Sequence, residues 1–532
     1  LVSLSELAHK TRAHSGESEN IAVPISSRPR KPPASFAALA LLATLGGCDL
    51  DWAKPDVSAP PPARFREAKP ASAPSLGSAR EFTAKFGSQE LSNLVGQALE
   101  NNYDIAAAVA RITQADAQAR VSSSALWPAL TMNNSAERTQ SPGAAYSAST
   151  AAGAAATSNA TSSGTVATTR TNLYQLGLNA SYEIDFWGKN EDASKAARLL
   201  ANASRFDRNV VEIATIASVL NSYFQVLNAQ DRLRIAHENV RIADEVFKAI
   251  KMRMDVGTAT VLDVSQQETV LDTERALIPP LEETFRQQKN LLAVLLGRTP
   301  ESFDTKGASL VRLRFPRVEP GLPSEVLLRR PDVAEAEAKL ASQEFSVLQA
   351  RAAFFPSITL TGQYGVQSTL IKYLATPQAI AWQIMANAAQ PLFDGYNLQG
   401  QYNLQQGKYA ELAADYHKQT LTALSDTENA LIAISQTGRQ MKLQEDAVAA
   451  AKRALDAAQA RLREGTIDIV TLSTTETSFF QNQDTLEQVR LAHFEAATSL
   501  YQALGGGWAP TNREVEIARA DAAYQEDKGP WP

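Results

Sequence analysis

RMDVGTATVLDVSQQET at residues 253–269 returns as RLREGTIDIVTLSTTET at residues 461–477. Arg253, Gly257, Thr258, Ser265, Glu268 and Thr269 match Arg461, Gly465, Thr466, Ser473, Glu476 and Thr477 at one offset (465 − 257 = 208). Leu296-Gly297 matches Leu504-Gly505 at the same offset (505 − 297 = 208). Upstream, Gly188 pairs with Gly395 at 207, while Asp104 and Pro128 pair with Asp332 and Pro356 at 228. The first copy therefore carries 21 additional residues (228 − 207 = 21) between Pro128 and Gly188, where an Ala/Ser/Thr/Gly-rich tract fills 141–169. Insertions in a repeat map to loops. Each copy reads as helix, strand, loop, strand, long helix, tight turn and helix.

The strands are legible by alternation. In 172–186, Tyr174, Leu176, Leu178, Ala180, Tyr182, Ile184 and Phe186 point one way, and Gln175, Gly177, Asn179, Ser181, Glu183 and Asp185 the other. Residues 380–388 set Ile380, Trp382 and Ile384 against Gln383 and Asn387, and 357–366 set Ile358, Leu360, Tyr364 and Val366 against Thr359, Thr361 and Gln363. Segment 129–137 has the weakest alternation. A soluble sheet with one face on a core gives the same pattern. The length of the segments, the aromatics near their ends and the scarcity of long charged side chains on the polar faces match an outer-membrane barrel instead. Four strands cannot close a barrel, and an open edge cannot sit in lipid, so such a sheet requires several chains.

The helices are unusually long. Lys189 to Val256 contains neither Gly nor Pro, and Ile213, Ile216, Leu220, Phe224 and Leu227 form a narrow heptad-like seam. At ~1.5 Å per residue this helix runs about 100 Å. Its partner, 396–464, holds Gly400, Gly407 and Gly438, and each turns at Gly-Thr into a shorter helix, 260–296 or 467–504. Glycine at the turn suits a backbone with positive φ. Helices 88–125 and 331–353 supply the remaining length, stacked end to end with the shorter ones alongside the long ones. Pro279-Pro280 is expected to kink helix 260–296.

A net charge of −6 with 20% charged residues offers no basic patch for nucleic acid. The five histidines show no metal-ligand spacing, the single Cys48 excludes an intramolecular disulfide, and no run of 18 apolar residues suggests a membrane helix. Arg28, Arg30 and Lys31 precede an apolar stretch, Phe36 to Leu45, that ends in Leu45-Gly46-Gly47-Cys48. This is the order of a secretory signal, and it resembles a bacterial lipoprotein signal with Cys48 as the lipidated new N-terminus. An ordinary signal followed by an incidental cysteine is the alternative. Residues 1–27 carry no signal features and read as a misplaced start or fragment edge. Residues 51–75, with Pro60-Pro61-Pro62, read as an extended linker.

Gly321-Leu-Pro-Ser324, Leu327-Leu-Arg-Arg-Pro331-Asp332-Val333 and Ala350-Arg-Ala-Ala-Phe-Phe-Pro356-Ser357-Ile358 form a specific set. They resemble the signature of TolC-like outer-membrane efflux proteins, in particular the lipoprotein (NodT-type) branch serving resistance-nodulation-division pumps. Tyr182 to Gly188 is similar to that family's first strand-to-helix junction. The resemblance spans about 80–507. It implies a mainly α chain with a membrane β-barrel: four antiparallel strands and long helices per chain. A homotrimer then builds a twelve-stranded barrel on a periplasmic α-helical barrel. The tips implied to meet a periplasmic adaptor are Gly257, Thr258, Val261, Leu262 and Asp263, and Gly465, Thr466, Asp468, Ile469 and Val470. Glu183, Asp185, Gln363 and Gln383 are expected to face the barrel lumen. Thr471 and Thr474 stand where some relatives carry aspartates at an ion-binding constriction. Asp49 after Cys48 is, in enteric bacteria, an inner-membrane retention signal, which membrane strands should override.

The implied organisation is an N-terminal extension and lipoprotein signal (1–47), a lipidated linker (48–80), a first repeat (81–297), an equatorial connection (298–330), a second repeat (331–507) and a tail (508–532). No enzymatic reading survives. Gly505-Gly506-Gly507 lacks the Lys-Ser/Thr of a phosphate loop, and Glu183 with Asp185 reads as lumen-lining charge rather than a catalytic carboxylate pair. The expected function is a passive outer-membrane duct, lipid-anchored and reaching into the periplasm, which exports small molecules for an adaptor and an inner-membrane pump. No cofactor or metal is expected beyond the lipid on Cys48. A type I secretion duct for polypeptides and a periplasmic coiled-coil scaffold are the alternatives.

Overall fold

The computed structural model describes residues 78–141, 169–305, 307, 309–316 and 321–508, together with 52, 54, 55, 61, 62 and 64–66. Cys48 and its signal, the 142–168 part of the inserted tract and residues 509–532 lie outside the described residues. The chain divides at Lys54/Pro55, and every element below belongs to the second unit.

In chain order the elements are α1 (Ala79–Ala84), α2 (Gln89–Asn101), α3 (Tyr103–Ser124), β1 (Ala129–Ser141), β2 (Thr169–Ile184), α4 (Lys189–Asp255) and α5 (Val261–Leu295). After two 3₁₀ turns come α6 (Pro323–Leu328), α7 (Pro331–Ala352), β3 (Ser357–Ser368), β4 (Ile380–Ala389), α8 (Asn397–Arg463) and α9 (Ile469–Ala503). The expected helix 88–125 is two helices. Asn102, with extended ψ, ends α2 and caps α3 by accepting from the amides of Asp104 and Ile105. Helix α5 continues through Pro279-Pro280, both exposed. The expected kink does not interrupt it as an element.

One antiparallel sheet has the order β1-β2-β3-β4. The weakly alternating first strand extends to Ser141 because β2 pairs with it along its whole length, from Ala129↔Ser181 to Ser141↔Thr169. Met132, Leu178, Tyr364 and Trp382 form one cross-strand row on the apolar face. Thr131, Asn179, Gln363 and Gln383 form the row on the polar face.

Helices α4 and α8 are each 67 residues long, or about 100 Å at ~1.5 Å per residue. They begin at equivalent left-handed residues, Gly188 (φ 78°) and Tyr396 (φ 66°), so the helix starts align at 208 rather than 207 (396 − 188 = 208). Asp185 accepts from the amides of Asn190 and Glu191, and Asp394 from that of Leu398. Both carboxylates satisfy orphan donors at the positive end of a long helix. Helix α4 packs on α3, α5, α7 and α9, while α8 packs on α7 and α9. The short helices do stack in pairs along the long ones.

The principal core lies where these pairs meet. The α4 seam residues Ile216, Leu220, Phe224 and Leu227 are buried there with Phe82, Phe86, Val95, Phe494 and Tyr501. Phe82 stacks on Tyr501 at 4.4 Å between ring centroids. The connection between repeats is drawn onto this core by Asp231, which accepts from the Leu310 amide at 2.8 Å and from Ser309 Oγ at 2.9 Å.

Candidate functional site: the hairpin tips and the strand face

Two helical hairpins, α4–α5 and α8–α9, end in turns of one design. Gly257 (φ 81°) and Gly465 (φ 72°) take the left-handed conformation, which costs a residue with a Cβ about 1–2 kcal/mol. A Cβ at either would meet nothing within 4 Å, so conformation alone demands glycine. The following threonine closes each turn. Thr258 donates its amide (2.8 Å) and hydroxyl (3.0 Å) to the Arg253 carbonyl, and Thr466 does the same to Arg461 (2.9 and 3.1 Å).

The second helices of the two hairpins start with opposite arrangements of one polar pair. In α5 the N-cap is Thr260 and Asp263 completes a capping box. In α9 the N-cap is Asp468, which accepts from the Thr471 amide at 2.8 Å. The offset is again 208 (468 − 260 = 471 − 263 = 208), so acid and hydroxyl have exchanged places. Hydrogen bonds from Thr471 hold the Asp468 carboxyl below its usual range. The positive helix end favours the anion at either position.

Gly257, Thr258, Val261, Leu262, Gly465, Thr466, Asp468 and Val470 are exposed at these ends, and Asp263 is half-buried. Ile469 corrects the sequence expectation. Its equivalent Val261 is 73% exposed, whereas Ile469 is 5% exposed and packs with Ile250, Leu271, Leu455 and Leu472. It joins the hairpins to each other and is not available to a partner. Arg253 adds a link that sequence reading missed, donating from Nη1 to the Leu462 carbonyl of the other hairpin at 3.2 Å.

Gln363 and Gln383 face each other across β3 and β4 on the polar side. Glu183 shares that side and is paired with Lys189 at 3.0 Å. β2 ends at Ile184, and Asp185 just beyond it accepts through Oδ2 from the amides of Asn190 and Glu191 at the start of α4. The opposite face is apolar and open, with Leu130, Met132, Tyr364, Trp382 and Ile384 all exposed. Edges β1 and β4 each have one partner strand among the described residues. Among those residues no cluster of His, Cys, Asp and Glu could hold a metal.

Comparison with known proteins agrees with this geometry. The family model "Outer membrane efflux protein" matches residues 94–298 and 322–506. The pyoverdine export outer membrane protein OpmQ of Pseudomonas aeruginosa is 34% identical over 432 residues, covering 81% of this chain and 88% of its own. The probable outer membrane lipoprotein SilC of Salmonella typhimurium is 28% identical, with 85% and 93% covered. The solved outer-membrane channel OprN superposes with a TM-score of 0.77 at 25% identity, covering 86% of this chain and 99% of its own. CusC superposes with a TM-score of 0.73 at 25% identity, with 85% and 99% covered. A duplicated hairpin on a four-stranded sheet, matched across both halves by one family model, places this chain in the outer membrane efflux protein family.

Proposed function

We propose that three copies of this chain form a passive duct through the outer membrane. The observation that carries the reading is the sheet. Its apolar face is exposed, with Trp382 at 71%, and its two edge strands lack outer partners among the described residues. Lipid accepts the face but not the edges, because each unpaired backbone group there costs several kcal/mol. Pairing β1 of one copy with β4 of the next satisfies both, and three copies of four strands give twelve.

The helices continue each stave into the periplasm, and the exposed ends of the two hairpins are the surface offered to an adaptor protein. The duct has no energy source of its own, so an inner-membrane pump, of the resistance-nodulation-division class, drives export. The cargo is small molecules. In support, the names of two relatives specify pyoverdine export and cation efflux. Lipidation of Cys48 supplies a second hold on the membrane; SilC is named a lipoprotein.

Expression with its adaptor and pump in an efflux-deficient Gram-negative host tests the reading. Dye accumulation should fall to pump-competent levels and rise again when this chain alone is omitted. Equal accumulation with and without it would refute a duct.

A further inference from the structure

The seam between α5 and α9, below the tips, contains two buried carboxylates with no cation. Glu476 on α9 is 0% exposed. Its Oε2 accepts from Gln267 Nε2 at 2.8 Å, and Gln267 Oε1 accepts in turn from Ser473 Oγ at 3.1 Å. No protein donor reaches Glu476 Oε1. Glu274, also buried on α5, has one neutral donor, Asn239 Nδ2 of α4 at 3.3 Å. The Asn239 oxygen in this group likewise lacks a donor.

The surrounding charges are spent elsewhere. Arg232 of α4 binds Asp484 of α9 through two bonds of 2.6 and 3.0 Å. Glu238, Arg241 and Glu245 of α4 pair with one another. Arg275 of α5 pairs with Asp272 and Asp244. From α8 come Leu455 and Ala458, with Lys452 paired to Asp456. Among the described residues neither Glu274 nor Glu476 belongs to an ion pair. The repeat equivalent of Glu476, Glu268 (476 − 208 = 268), is exposed. One residue type at one repeat position is thus solvated in the first hairpin and enclosed in the second.

An unpaired buried anion is costly, and two in one seam are costlier, since each repels the other. A proton removes the charge and supplies the donor the group lacks. We infer that this seam is a proton-binding site centred on Glu476, whose occupancy tightens the packing of the two hairpins against each other. Burial and the neighbouring Glu274 push the Glu476 carboxyl up to about 7, against the bond from Gln267, and burial raises Glu274 too. A raised carboxyl pKa in the folded state means stability that is complete below the ordinary value and is lost as pH rises to the folded one. The seam is therefore firmest in acid and loosest above neutrality. The site stands independently of the duct reading.

Full-length protein in detergent provides the test. Infrared titration should show a protonated-carboxyl band lost with a midpoint near 7, absent in Glu476→Gln and shifted to lower pH in Glu274→Gln. Hydrogen exchange in α5 and α9, corrected for the chemical rate, should show protection falling more than about ten-fold from pH 5 to pH 7 and levelling off above. In Glu476→Gln that fall should shrink to the contribution of Glu274 alone. A band already gone at pH 6 would overturn the inference, as would an unchanged pH response in Glu476→Gln. If Glu476→Gln fails to fold, an unmoved midpoint in Glu274→Gln overturns it equally.

Discussion

Asn102 and Arg330 are the same joint in two chemistries. They are related by the offset of 228 (330 − 102 = 228), each precedes the first residue of a short helix, and each donates to the last carbonyl of the helix that ends beside it. Asn102 Nδ2 reaches the Leu295 oxygen at 2.9 Å, and Arg330 Nη1 reaches the Ala503 oxygen at 3.3 Å. Leu295 and Ala503 are themselves equivalent (503 − 295 = 208). The joint turns two short helices into one stave alongside a long helix. In the first repeat it is neutral; in the second it is an ion group in which the buried Arg330 is bonded to the half-buried Asp332 and Asp426.

Removing Arg330 leaves the half-buried Asp332 without its cation. Arg330→Ala is expected to cost about 3–5 kcal/mol. Asn102→Ala loses a cap and a bond, about 1–2 kcal/mol. Denaturant unfolding in detergent measures both, and equal losses would contradict the assignment.

The same joint predicts an acid limit. Burial alone would raise the Asp332 carboxyl, but the bond and charge of Arg330 override it and leave it below the usual range. A depressed carboxyl contributes stability present above its unfolded value and lost as pH falls through the folded one. Wild-type stability from this group should therefore decline only below about pH 4. Arg330→Met should lose that part of the acid dependence in a pH series of unfolding midpoints.

Glycines with the same sign of φ divide into two classes. A Cβ on Gly297 would lie 2.4 Å from the Asn101 oxygen, and one on Gly505 would lie 2.0 Å from the Arg329 oxygen, whereas Gly257 and Gly465 face open space. Alanine at Gly257 or Gly465 should cost only the backbone term, about 1–2 kcal/mol. At Gly297 or Gly505 it should also break the joint and reduce the folded yield. Comparable yields for the four variants would argue against the joint. Val at Gly257 or Gly465 should leave trimers intact and impair adaptor coupling, read as efflux.

Val261 and Ile469 test the division between contact and core. Ile469→Ala should destabilise by about 2–4 kcal/mol. Val261→Ala should change unfolding by less than about 0.5 kcal/mol yet weaken adaptor binding in a pull-down. The reverse ranking would undo the tip assignment.

Much of this architecture was legible because the chain repeats itself and because helix and strand periods differ. The gap-free offset of 208 fixed both hairpins, and the absence of Gly and Pro after Gly188 fixed one of the two longest helices, α4. Local pattern failed where a tertiary contact decided. The break at Asn102 depends on a carbonyl 193 residues away, and β1 extends past its own alternation because β2 holds it. Glu476 and Glu268, or Ile469 and Val261, are alike in the repeat and differ in burial because α9 is packed between α4 and α8, while the outer flank of α5 is open in a single chain. No single-hairpin pattern contains that difference. Arg330 stood inside the quoted motif, but only the fold brings it to Asp426 and Ala503.

The closed barrel is the claim on which the duct reading depends. Electron cryomicroscopy of the full-length protein in lipid nanodiscs tests it most directly. Three chains should surround one lumen, with β1 of each hydrogen-bonded to β4 of the next and the Met132–Leu178–Tyr364–Trp382 row facing lipid. A particle in which β1 and β4 remain unpaired, or in which that row faces water, would contradict it.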